Sequence, residues 1–174
     1  MKRPQILIWL LALTLVALLA PISIDPAILP LTLQTLVLFI AFSLFDTRWA
    51  LGLGLAYLLL GAAGLPVFGN YSSGWEKLIG PTSGFLWGFL LCGYYISSEA
   101  TKSDFNFFKA MLLFLKAHGI LLIPGFIVLY FQVEGLEIWP TLVRLIPGII
   151  IKSILGGIVA SSLRKRSLES GSIS

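Results

Sequence analysis

Six apolar runs restrict this chain more than any other feature, covering 6–20, 31–45, 49–65, 84–97, 107–131 and 142–163. A helix crossing the hydrocarbon of a bilayer needs about 20 mostly apolar residues, or somewhat fewer when flanking side chains reach the interface. The fifth and sixth runs have that length; the second, third and fourth are short, and the third and fourth are rich in glycine. With 57% hydrophobic and 11% charged residues and a mean hydropathy of +0.96, the chain has too few polar side chains to cover a soluble domain. The runs predict an all-α membrane protein with six transmembrane helices, forming one domain over 1–174 within a lipid bilayer.

The basic residues predict its orientation. Lys2, Arg3, Arg48, Lys102, Lys109, Arg164, Lys165 and Arg166 fall on one side of a six-span arrangement, whereas the connections on the other side carry only Lys77. Cytoplasmic loops hold the lysine and arginine excess, so both termini are expected in the cytoplasm. Asp25, Glu76, Glu134 and Glu137 then lie outside, with Trp75 and Trp139 at the outer aromatic belt. The net charge of +4 is spread over the ends of apolar runs, not gathered into a basic patch with interleaved aromatics, so nucleic acid is not an expected partner. Lys2, Arg3 and the run 6–20 resemble a signal peptide, but Ala17 and Ala20 miss the A-x-A spacing and the segment is read as a retained first span. Cys92 is the one cysteine and His118 the one histidine, which excludes an internal disulfide and argues against a metal site. No phosphate-binding loop is present, so any ATP used must be hydrolysed by another chain.

Between the third and fourth runs lies GLPVFGNYSSGWEKLIGPTSGFLWGF. Its glycines, serines and prolines break a helix, and irregular backbone at membrane depth is tolerated where it packs in protein or lines a cavity. The segment 66–83 is therefore expected to fold back as an outer lid, the alternative being an ordinary exposed loop. Gly80, Gly84 and Gly88 recur every fourth residue into the fourth run, a stripe that lets helices approach closely. Gln34, with Thr32 and Thr35, opens the second run, either facing an outward pocket or simply starting the helix.

Lys152 stands in the middle of the sixth run. Arg144, Gly148, Lys152, Gly156 and Ala160 follow at intervals of four and share one slowly drifting face, with Ser153, Gly157 and Ser161 as a small-residue stripe beside it. A lysine flanked by glycines points into the bundle, about 18 Å from Arg164 along the axis. A charge at that depth costs about 2.5–3.5 kcal/mol on insertion scales. All eight acidic residues lie in loops, near run ends or in the tail, so either the lysine is neutral or snorkels to water, or its anion arrives with a carboxylate-bearing ligand. Lys116 is expected to snorkel to the interface near Lys109, and Arg144 to reach the outer surface. His118 lies deeper, as a helix-to-helix hydrogen bonder or a ligand contact. An intramembrane enzyme would have only Lys152 and His118 to work with, and a purely structural protein would not explain the lysine.

PLTLQTL, LLLGAAGLPVF, GPTSGFLWGF, the His118 region and IPGIIIKSILGGIVA together resemble, in order from about Pro30 to Leu163, the BioY family. These are the substrate-capturing S components of energy-coupling factor (ECF) biotin transporters. The resemblance implies a six-span S-component fold in the plasma membrane. It also implies capture of biotin in an outward-facing pocket under the loop between spans three and four, with a membrane coupling protein and two ATPase subunits as partners and no cofactor. The family's span-six pattern is Pro-Gly-Asp-x-x-Lys. Pro147, Gly148 and Lys152 match, giving Lys152 the ligand's carboxylate, while Ile149 replaces the aspartate expected to help read the ureido ring. The polar lid contact corresponds to one of Asn70, Tyr71, Ser72 and Ser73, and Leu86 stands where some members carry a basic residue. Each unmade hydrogen bond to a buried urea would cost on the order of 1–3 kcal/mol. A carboxylate with a less polar head, such as lipoate, is thus the alternative ligand. The coupling-protein stripe of the first span is represented at best by Ala12, Val16 and Ala20.

Overall fold

The computed structural model describes residues 3–24, 31–101 and 105–170. Lys2, Asp25, Pro30 and Lys102, used above to orient the chain and delimit its motifs, lie outside them. Among the described residues the chain forms six α-helices: α1 (Arg3–Leu19), α2 (Gln34–Leu44), α3 (Thr47–Ala62), α4 (Ser83–Ala100), α5 (Phe107–Gln132) and α6 (Ile138–Ser170). A two-stranded ladder, β1 (Ser23–Ile24) and β2 (Leu31–Thr32), precedes α2, with Ser23 opposite Thr32.

The surface is the inverse of a soluble protein's. Leu7 (71% exposed), Leu18, Leu59, Ile123, Phe131 (80%) and Trp139 face outward, while Gln34, Thr35, Ser43, Ser97, His118, Lys152 and Ser153 are buried. Such an apolar exterior requires a lipid or protein surround. By length and composition, Phe107–Gln132 and Ile138–Arg166 are each able to cross a bilayer, whereas α1, α2 and α3 are shorter apolar helices. With 11 residues, α2 rises only about 16 Å. It starts at Gln34 because the preceding residues are held as strand: Leu31 pairs with Ile24, and the Leu33 N–H donates to the Ile22 carbonyl (2.9 Å).

Helices α2, α4, α5 and α6 close a ring, α4 packing on α5, α5 on α6, α6 on α2 and α2 on α4, while α1 and α3 flank α2. Small residues set these spacings. A Cβ on Gly84 would run into the backbone of Pro124 in α5, and one on Gly157 would lie 3.0 Å from the Met111 nitrogen. Gly156 is covered by the Phe114 ring and Leu36. Gly84 and Gly88 of the fourth run and Gly156 and Gly157 of the sixth are therefore helix contacts, whereas Gly80 lies against the Glu76 carbonyl ahead of α4. The core beneath them is Leu38, Phe39, Phe42, Leu53, Tyr57, Phe89 and Phe114.

Asp46 accepts from the Trp49 N–H at 3.1 Å and Asn106 from the Lys109 N–H at 3.0 Å. These side chains satisfy amides that the first turns of α3 and α5 leave open. At the same end Arg164 donates to the Ser43 carbonyl (2.6 Å) and stacks on Phe105, 5.2 Å from its centroid. At the opposite end, the segment after α3 lies on the bundle and is pinned along its length. The Gly74 N–H donates to the Gly61 carbonyl (2.8 Å), and the Asn70 N–H to the Pro21 carbonyl (3.0 Å). Trp87 Nε1 donates to the Leu78 carbonyl (2.9 Å) and Gln132 Nε2 to the Ile79 carbonyl (3.0 Å).

Candidate ligand-binding site

The ring of four helices encloses a cavity of about 460 Å³, within the roughly 300–1,000 Å³ usual for small-molecule pockets. Gln34 and Thr35 of α2, Phe85, Leu86 and Phe89 of α4, His118, Leu121 and Leu122 of α5, and Leu145, Ile149 and Lys152 of α6 form its walls. Thr32, the segment Phe68, Gly69, Asn70 and Ser72, together with Lys77 and Thr82, complete it. The recurrences are helical: Leu145, Ile149 and Lys152 at i, i+4 and i+7, Phe85 and Phe89 at i and i+4, so each helix turns one stripe inward.

Lys152 is 9% exposed and looks from the glycine-bounded face of α6 into this space. Two lysines but no aspartate or glutamate line it among the described residues. Its neighbour Ser153 brings Oγ to 3.4 Å from Nδ1 of His118, and that nitrogen lies 2.8 Å from the Phe114 carbonyl oxygen. Phe39 meets the imidazole edge-on with centroids 4.8 Å apart. The opposite wall is set by a relay: Gln34 Nε2 donates to Tyr57 Oη (2.8 Å), which donates to the Val67 carbonyl (2.8 Å). Tyr57 also packs edge-on against Phe68 (5.6 Å) and Phe89 (6.4 Å), so one buried phenol fixes both Gln34 and the base of the covering segment.

That segment turns at Gly69–Tyr71, where the Phe68 N–H donates to the Ser72 carbonyl (3.0 Å) and Ser72 Oγ to the Gly69 carbonyl (2.9 Å). Asn70 and Tyr71 both have left-handed backbone, φ 58° and 54°. Phe68 fits only because residue 61 is glycine, since a Cβ there would enter its ring.

The structure brings six of the sequence-derived residues together: Lys152, Gln34, His118, Ile149, Asn70 and Ser72 all line the cavity. Tyr71 and Ser73 do not. The left-handed turn sends the Tyr71 ring outward to 61% exposure, and Ser73 follows the turn without reaching the cavity wall. Arg144 and Lys116 are exposed. Sequence reasoning missed the aromatic walls Phe68, Phe85 and Phe89, and also Lys77 and Thr82. Phe85 and Phe89 directly follow Gly84 and Gly88. A glycine stripe that contacts α5 necessarily turns the next positions toward the neighbouring space, and this was the available signal.

A bundle with an apolar exterior, a ring of four helices around a mixed polar and aromatic cavity, and a buried lysine in its wall is an integral membrane protein built to hold a small molecule. The comparisons agree. The BioY family model matches residues 2–169, and the chain belongs to that family. It is 36% identical over 115 residues to the biotin transporter BioY2 of Lactococcus lactis, an alignment covering 66% of this chain and 63%, a little under two thirds, of that one. It is 32% identical over 151 residues to the biotin transporter BioY of Thermotoga maritima, covering 85% and 88%. The fold superposes on a crystal structure of the S-component for biotin from an ECF-type ABC transporter. That match has a TM-score of 0.76 and 25% identity, and covers 95% of each chain.

Proposed function

We propose that this chain is the biotin-capturing S component of an ECF-type transporter, with Lys152 holding the ligand's carboxylate in the cavity between α2, α4, α5 and α6. The single observation that carries this reading is Lys152, nine-tenths buried in a cavity whose wall offers no carboxylate among the described residues. An ammonium so placed is costly on its own and favourable once an anion joins it. The aromatic and aliphatic walls suit the hydrocarbon chain and bicyclic ring of biotin, and the cavity volume suits a molecule of that class.

The segment 66–83 acts as the lid, with Asn70 and Ser72 as its ligand contacts. Both termini lie in the cytoplasm, which sets the lid outside the cell, and the plasma membrane is the site of action. The basic residues Arg48, Lys109, Arg164, Lys165 and Arg166 on the opposite side of the six-span arrangement support that orientation. Release inward depends on a membrane coupling protein and two ATPase subunits, since the chain carries no phosphate-binding loop of its own. The protein binds and does not catalyse.

Calorimetric titration of the purified chain with biotin and with lipoate tests the reading. Saturable biotin binding with one site per chain, tighter than lipoate, is the expected result. Lipoate bound in preference to biotin would mean that Ile149 marks a changed ligand on an unchanged fold.

A further inference from the structure

Two polar atoms in the cavity wall, His118 Nε2 and Thr35 Oγ1, are buried without a hydrogen-bond partner among the described residues. Buried polar atoms in folded proteins are nearly always paired, so an exception needs a reason. Both residues line the cavity. Thr35 lies one helical turn before Phe39 on α2, and the Phe39 ring abuts the imidazole of His118 at 4.8 Å between centroids, so α2 and α5 meet at this cavity.

The imidazole has no freedom to choose its hydrogen-bonding pattern. Nδ1 lies 2.8 Å from the Phe114 carbonyl oxygen, and a carbonyl only accepts, so Nδ1 carries the hydrogen and donates it. Turning the ring over would replace that bond with a C–H contact, and Phe39 and Ser153 pack against the ring as it stands. In the neutral imidazole, Nε2 is then a fixed acceptor. With two lysines and no carboxylate in the wall among the described residues, the neutral ring is the form the site accommodates. Ile149, four residues after Leu145 on the same wall, offers no hydrogen-bonding atom at all.

We propose that His118 Nε2 accepts a hydrogen bond from a ring N–H of the ligand, with the Thr35 hydroxyl as its companion, and so supplies the polar recognition that Ile149 does not. This rests on the biotin reading above and makes it more specific: the ligand head must carry an N–H donor. A cyclic urea presents two N–H donors and one carbonyl acceptor. His118 can only accept, while the Thr35 hydroxyl can both donate and accept, so the pair matches one N–H and one further urea atom. A dithiolane head has no N–H, and would leave both wall atoms unpaired.

The test compares biotin with biotin methylated on its ring nitrogens, using the full chain in detergent as wild type, His118→Leu, His118→Gln and Thr35→Val. Losing one buried hydrogen bond corresponds to about 10- to 100-fold in affinity. Wild type is expected to prefer biotin over the methylated form by that factor, His118→Leu to bring the preference within about threefold, and His118→Gln to recover part of it through its amide carbonyl. Thr35→Val is expected to weaken biotin without abolishing binding. A preference that survives intact in His118→Leu would overturn the assignment. If the His118 variants do not remain monodisperse, the wild-type preference and Thr35→Val decide: no preference, or no effect of Thr35→Val, overturns it. Failure of wild type to bind biotin at all overturns the underlying reading instead, and the two failures are thus distinguishable.

Discussion

Replacing Lys152 with methionine is expected to move stability and affinity in opposite directions. Methionine is unbranched and close in length to the lysine stem, so the packing between Gly148 and Gly156 is retained while the charge is removed. Lys152 is 9% exposed, and no carboxylate lines its cavity among the described residues. A lysine at the centre of a membrane helix costs about 2.5–3.5 kcal/mol, and a cavity that admits water reduces that figure, so the unliganded variant should gain about 1–3 kcal/mol. In the complex the sign reverses. Removing one member of a buried charged pair leaves the other unpaired and costs about 2–5 kcal/mol, equivalent to roughly 30-fold to several thousand-fold in Kd. Thermal unfolding of both proteins in detergent, with and without biotin, reads the two effects together. At a concentration of about 100 times the wild-type Kd, biotin should stabilise wild type by about 2.7 kcal/mol and Lys152→Met by about 0.9 kcal/mol or less. A variant that binds biotin as wild type does, or that unfolds more readily without ligand, would refute the reasoning.

Tyr57→Phe removes the hydroxyl that joins Gln34 to the Val67 carbonyl, leaving buried partners unmade. It should lower stability by about 1–3 kcal/mol in thermal unfolding and loosen Gln34 at the cavity wall. Gly84→Val drives a side chain into the Pro124 backbone and should abolish monodisperse protein in size-exclusion chromatography. Gly52→Ala meets nothing within 4 Å and should raise stability by about 0.5–1 kcal/mol through helix propensity. Tyr71, 61% exposed at the tip of the covering segment, becomes a topology probe. Tyr71→Cys in intact cells should react with an impermeant maleimide while the fully buried Cys92 stays unlabelled, and labelling only after lysis would reverse the proposed orientation.

Several features were legible in the residues because each depends on near neighbours in sequence. The six helices follow from apolar length, the glycine contacts of α4 and α6 from spacing at i+4, and the inward face of Lys152 from the glycines on either side of it. Asn70 and Ser72 were recognisable as part of a polar turn, but which two of the four residues 70–73 would line the cavity depended on the left-handed backbone at Asn70 and Tyr71. That conformation is held by contacts to Pro21 and Gly61, distant in sequence.

Hydrophobic length and helical period are local properties, so the residues alone specify six apolar helices and place Lys152 on a glycine-flanked face at the middle of the last one. What that lysine faces depends on how the helices pack. Closing α2, α4, α5 and α6 into a ring put Lys152, His118, Thr35 and the Phe85 and Phe89 rings around one space, and fixed the imidazole through Phe114 and Phe39. Such convergence arises from how four separate helices pack, and no spacing along the chain encodes it.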